Sequence, residues 1–183
     1  MMSYLFSLDM HVLQALYAVR NPELVQMGIW VSELGESYTI CGLAVCVGLV
    51  LLMRRHYVYC MGLFIAVVTS GIGTFILKSA IARPRPPLSY QAYQEVWYSF
   101  PSAHASMSLA VFGFFVFLVW QFTPSRPVRM FSLLLTIALV GLLGFLRLYL
   151  GVHYLSDVAG GYVLGGLCLW LSIWSVRMYT KKA

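Results

Sequence analysis

Residues 130–149 read MFSLLLTIALVGLLGFLRLY, and no charged side chain interrupts the run before Arg147. In helical form about 20 apolar residues cross the hydrocarbon core of a bilayer, so this stretch reads as a transmembrane helix. The same reading extends outward from it. Toward the C-terminus lies a span at 155–176, and toward the N-terminus lie spans at 103–122, 57–77 and 38–53. The last of these, YTICGLAVCVGLVLLM, is short for a crossing and borrows a turn from the segment before it. Composition agrees: of 183 residues 61% are apolar and 10% charged, where soluble domains average about 45–50% and about 25%. That excludes a secreted disulfide scaffold, a disordered chain and a soluble dinucleotide-binding enzyme. Nucleic acid is not expected as a partner despite the net charge of +6.

Ahead of the spans, residues 1–22 carry apolar positions at helical spacing and predict an amphipathic helix at the membrane interface. Asn21-Pro22-Glu23 predicts the start of a second short helix, with Asn21 as its N-cap. The first 20 residues lack a basic n-region, and Asp9 and His11 interrupt the apolar run, so a cleaved signal peptide is not expected. The expected fold is all-α: a polytopic membrane helix bundle of about five transmembrane helices (38–177) preceded by interfacial helices (1–36), the whole of 1–183 forming one domain. Cys41, Cys46, Cys60 and Cys168 lie in apolar stretches without a C-x-x-C pair and read as buried free thiols.

Charge sets the orientation. Arg54, Arg55, Arg126, Arg129, Arg177, Lys181 and Lys182 fall on one side if five spans alternate, and the positive-inside rule makes that side cytoplasmic. Trp120, Trp170 and Trp174 approach the same boundary, and Trp97 the opposite one, as interfacial anchors. Gly160-Gly161 and Gly165-Gly166 predict close helix packing. Lys78, Arg83, Arg85 and Arg147 remain on the outer face, where they make sense as ligands of an anion.

That outer face concentrates the chemistry. Lys78, Arg83 and Arg85 end the second span, Ser102 and His104 open the third, Arg147 ends the fourth, and His153 and Asp157 open the fifth. Cations and a helix N-terminus at Pro101-Ser102-Ala103-His104 suit a phosphate. His153 and Asp157 share a helix face at i, i+4, so the carboxylate can fix the imidazole tautomer and free the other nitrogen as a nucleophile. His104, from another helix, is the candidate general acid. Arg83 is expected at the interface or the entrance. His11 and His56 read as structural, and Glu33 and Glu36 as solvated helix-end residues. A metal site is the competing idea, but hard cations need more carboxylates than this face offers, and the nearby cations would repel a metal. No metal and no cofactor are expected.

Lys78-x6-Arg85-Pro86, Pro101-Ser102-Ala103-His104 and Arg147-x5-His153-x3-Asp157 together resemble the three-part signature of the type 2 phosphatidic acid phosphatase superfamily, K-x6-R-P, P-S-G-H and S-R-x5-H-x3-D. The resemblance covers roughly residues 60–175. Ala103 stands for the glycine of the second block and Leu146 for the serine of the third. The resemblance implies that His153 attacks phosphorus and forms a phosphohistidine, that Asp157 orients it, and that His104 protonates the leaving oxygen and then activates water. It also implies that Lys78, Arg85, Ser102, Arg147 and the N–H groups around Ala103 hold the phosphoryl oxygens.

The implied activity is a metal-independent lipid phosphatase of the bacterial inner membrane, with its site facing the periplasm or exterior. A polyprenyl (undecaprenyl) diphosphate ranks first as substrate on small size and outward site. Phosphatidylglycerol phosphate, phosphatidic acid, a lipid A phosphate and lipid-to-lipid phosphotransfer follow. Vanadium haloperoxidases share the same signature but are soluble. A non-catalytic lipid-binding or transport protein is the reading from a different class.

Overall fold

The computed structural model describes residues 2–181, with side chains from residue 6 onward; Lys182, which the sequence puts on the basic side, lies outside them. The described residues form seven α-helices: α1 (Met2–Ala18), α2 (Pro22–Ser32), α3 (Ser37–Met53), α4 (Tyr57–Ile81), α5 (Ala103–Phe122), α6 (Arg126–Tyr149) and α7 (Leu155–Thr180). Short 3₁₀ turns occur at Glu33–Gly35 and Leu88–Tyr90, and no strand occurs among the described residues. Four helices, α4 to α7, are long and apolar enough to cross a membrane. Counting α2 with its 3₁₀ turn and α3 as one crossing bent by 42° gives a fifth. The short third helix reaches the length of a crossing only when the segment before it is counted with it.

Helix ends follow local chemistry. Asn21 is extended and its side chain accepts from the Glu23 N–H at 2.8 Å, with Pro22 at the first helical position. α6 is stopped at Leu150 and turned by Gly151, whose φ of +69° only glycine adopts without strain. That reversal delivers residues 152–154 to the start of α7.

α5 is the hub, packing along both α7 and α6 and against α4. Phe114, Val111, Leu143, Ile40 and Val176 form the fully covered centre of the bundle. Small residues let α5 and α7 touch: a Cβ on Gly161 would lie 2.6 Å from the Ser102 carbonyl, and one on Gly165 would strike the Ser106 carbonyl. Gly160 instead makes room for the Phe100 ring. Large apolar side chains such as Phe64, Phe131, Ile137, Val163 and Trp170 point outward, as a lipid-facing surface requires. The cysteines depart from expectation, since only Cys168 is buried; Cys46 is exposed on the outside of the bundle.

The basic ends of the helices gather at one end of the bundle. His56 lies against Phe122 (ring centroids 4.7 Å apart), the Trp120 indole donates to the Arg129 carbonyl at 3.2 Å, and Arg177 shares an apolar groove with Trp120 and Gln121. The motif-bearing ends therefore occupy the other end.

Candidate active site

His153 sits in the turn between α6 and α7 and is 2% exposed. Its Nε2 lies 3.2 Å from Nη1 of Arg85, and its Nδ1 lies 3.4 Å from Oδ2 of Asp157. The second contact is electrostatic rather than a formed hydrogen bond, because Nδ1 is buried without a well-aligned acceptor. Burial, reinforced by Arg147 and Arg85, holds the imidazole well below its ordinary pKa, against the pull of Asp157. The ring is therefore neutral at pH 7, the state a nucleophile needs.

Asp157 is wholly buried at the first turn of α7. Its Oδ2 accepts from the Tyr154 N–H at 2.8 Å and from the Ser99 hydroxyl, and its Oδ1 accepts from Arg83 at 2.6 Å. Every oxygen of this carboxylate is thus fixed, which sets its direction toward His153.

His104, in the first turn of α5, places Nε2 3.3 Å from Nη1 of Arg147 and 3.3 Å from Oε1 of Glu36. Arg147, 1% exposed, donates to Ser32 Oγ at 3.0 Å and to the Tyr93 hydroxyl at 2.6 Å, and pairs with Glu95. Arg85 donates to the carbonyls of Val152 (2.8 Å) and Trp97 (3.0 Å) and meets the other oxygen of Glu95 at 3.4 Å. The Glu95 carboxylate therefore spans the two arginines, and each arginine touches one of the two imidazoles. The two histidines thus lie on either side of Glu95, His104 in the first turn of α5 and His153 in the turn ahead of α7 rather than on the helix face that its i, i+4 spacing with Asp157 predicts.

Of the remaining predicted residues, Lys78 ends α4 with its ammonium on the carbonyls of Tyr98 and Ser99 (3.3 Å to the latter), so it braces the 97–102 segment. Ser102 caps α5, its Oγ accepting from the Ala105 N–H at 3.5 Å, and its own N–H donates to the Asp157 carbonyl at 3.0 Å. Ala103 is the first residue of α5, whose opening N–H groups have no intrahelical acceptor. It is not among the residues with positive φ, so the missing glycine is not needed for the backbone path. Leu146 turns away from the site and packs against Gly28 of α2, beside which its methyl group would lie 3.2 Å from an added Cβ.

Two expectations are corrected. Arg83 is not a free interfacial cation: it bridges Asp9 (2.7 Å) and Asp157 (2.6 Å) and lies 4.3 Å over the Tyr154 ring. Partial burial opposes the charge on its guanidinium, and the two carboxylates more than offset that opposition. Glu36 is not a solvated helix end but a partner of His104. Sequence reading also passed over Glu95, Tyr93 and Asp9. The signal was available in the acids: there are six Asp and Glu in all, and a charge retained in so apolar a chain needs a partner.

A sequence profile of the PAP2 superfamily matches residues 59–181. The chain belongs to the PAP2 superfamily. Phosphatidylglycerophosphatase B of Bacillus subtilis (strain 168) is 28% identical over 167 residues, covering 90% of this chain and 81% of that protein. Lipid A 1-phosphatase of Rhizobium etli is 33% identical over 131 residues, covering 65% of this chain and 50% of that protein. Among solved structures, the transmembrane PAP2-type phosphatidylglycerolphosphate phosphatase of Bacillus subtilis superposes with a TM-score of 0.84 at 26% identity, over 96% of this chain and 86% of that one. The structure of Aquifex aeolicus LpxE gives a TM-score of 0.72 at 21% identity, over 91% and 94% of the two chains, and shares the PAP2 fold. The all-helical membrane bundle and the family drawn from the three motif blocks both stand.

Proposed function

We propose that this PAP2 protein removes a phosphate from a membrane lipid through a phosphohistidine. The observation that carries the reading is the pair of imidazoles on either side of the Arg85–Glu95–Arg147 bridge. A lipid phosphate displaces the Glu95 carboxylate and takes its place on the arginines. His153 Nε2 attacks phosphorus while the P–O bond to the lipid breaks, and His104 gives the departing oxygen a proton. Water, deprotonated by His104, then cleaves the P–N bond and releases phosphate. Asp157 steadies the positive charge that the ring gains in the first step, and Lys78, Ser102 and the N–H groups at Ala103 support the charge on the phosphoryl oxygens.

The residues 1–183 act as one unit in this scheme, since α1 and α2 both contribute contacts to it. The bundle lies in a bacterial inner membrane with the basic end cytoplasmic and the site on the opposite face. Lipid diffuses laterally to that face with its tails in the bilayer. Phosphatidylglycerol phosphate moves ahead of undecaprenyl diphosphate as first substrate, because the relative matched over most of its length is a phosphatidylglycerophosphatase. Phosphate release from phosphatidylglycerol phosphate, phosphatidic acid, undecaprenyl diphosphate and a lipid A phosphate tests the reading. The wild type is expected to hydrolyse at least one, EDTA to leave the rate within about twofold, and His153→Ala and His104→Ala to lower it by about three orders of magnitude or more with the fold intact. Undiminished release by His153→Ala, or loss in EDTA restored by one metal, defeats the mechanism.

A further inference from the structure

We propose that Asp9 and Arg83 are positioning residues behind the reaction: Asp9, reaching across from α1, holds the Arg83 guanidinium on Asp157 and thereby sets how strongly Asp157 holds the His153 imidazole. The inference rests on the assignment of His153 as nucleophile. Asp9 is 2% exposed although it lies on the first helix of the chain. Its Oδ1 accepts from the Ser156 N–H at 2.9 Å, and its Oδ2 accepts from the Ser156 hydroxyl at 2.6 Å and from Arg83 at 2.7 Å. It thus sits over the N-terminus of α7, where a carboxylate is favoured by the helix dipole. Arg83 also donates to Ser156 Oγ at 2.7 Å, so all three groups are fixed against one another.

The arrangement divides the two oxygens of Asp157. Oδ1 belongs to Arg83, and Oδ2 faces Tyr154 N–H, Ser99 and His153 Nδ1. Asp9, Arg83 and Asp157 together carry a net charge of −1. Arg83 alone would draw the carboxylate away from the ring, and Asp9 offsets that draw. The other groups around His153 are Arg85 from the 82–102 connection, Arg147 from α6, and Glu95 bridging both. Lys78 of α4 lies behind Ser99, and His104 of α5 and Glu36 lie beyond Arg147. None of these contacts the side chain of Asp9 or Arg83, whose partners are Ser156, Asp157, Tyr154 and each other.

The two substitutions therefore act with opposite sign. Asp9→Asn removes a negative charge, so protonated His153 is less favoured. Arg83→Gln removes a positive charge, so it is more favoured. The acid limb of kcat/KM is expected to move down in Asp9→Asn and up in Arg83→Gln, each by about one pH unit. In each variant kcat should fall about tenfold, the scale of an outer partner of a catalytic group, with KM little changed. The double variant Asp9→Asn/Arg83→Gln restores the net charge of −1, and its acid limb should return toward the wild-type position. It also serves where Asp9→Asn alone does not fold. A purely structural role would lower the melting temperature and leave the limb in place.

Full-length protein in detergent, with ¹⁵N-histidine labelling to follow the His153 ring directly, gives a readout independent of turnover. Ring shifts of opposite sign support the proposal. Limbs and ring resonances that stay put, or move the same way in both variants, overturn it. If the ring shifts as expected while His153→Ala still releases phosphate, the assignment of the nucleophile fails and the coupling survives.

Discussion

His153, the nucleophile of the proposed reaction, is almost entirely enclosed. The enclosure has a thermodynamic signature. The folded ring resists protonation, chiefly by burial and then by Arg147 and Arg85, while an unfolded histidine takes a proton near its ordinary value. Below about pH 6.5 the unfolded chain therefore binds more protons than the native one, and stability falls as pH falls; above it this contribution is constant. Thermal unfolding from about pH 7.5 down to about pH 5 should show a steeper loss in the wild type than in His153→Gln, whose side chain does not titrate. Equal slopes would mean that the ring is no more buried in solution than in an unfolded chain.

Among the helices, the contact of α5 with α7 holds the two halves of the site at a fixed separation. Gly161 faces the backbone carbonyl of Ser102 at a distance no side chain can share, and a carbonyl in a helix cap cannot swing aside. Gly161→Val is expected to cost about 1–3 kcal/mol and to lower activity more than tenfold by pushing the start of α5 away from His153. Gly141→Val, where an added Cβ meets nothing within 4 Å, should be close to neutral. Melting temperature and phosphate release on the pair check this, and equal effects would contradict it.

The spans were legible because uncharged apolar runs of such length are at home in few settings besides a bilayer. The start of α5 at Ala103 was legible from the proline and serine before it. Lys78, Arg85, Arg147 and the motif histidines were legible because charged and ionisable side chains beside apolar spans are conspicuous. Glu95 and Tyr93 were not, since they sit in a long connection whose path is set by contacts with Arg85 and Arg147 rather than by any local period. Asp9 was hidden for a related reason: its partner lies 74 positions along the chain.

Across the whole molecule, the chain bends by 42° between α2 and α3, and at that elbow Ser32 touches Arg147 while Glu36 touches His104. A crossing of this kind responds to a thinner or thicker bilayer by opening or closing its angle, at a cost of fractions of a kcal/mol per ångström. His104 and Arg147 would feel that movement directly. Reconstitution in phosphatidylcholine vesicles of graded acyl length should give a turnover maximum at one thickness, and a flat response would show the elbow to be rigid. With such a maximum the elbow acts as a strain gauge, making hydrolysis report the tension and lipid make-up of the surrounding leaflet.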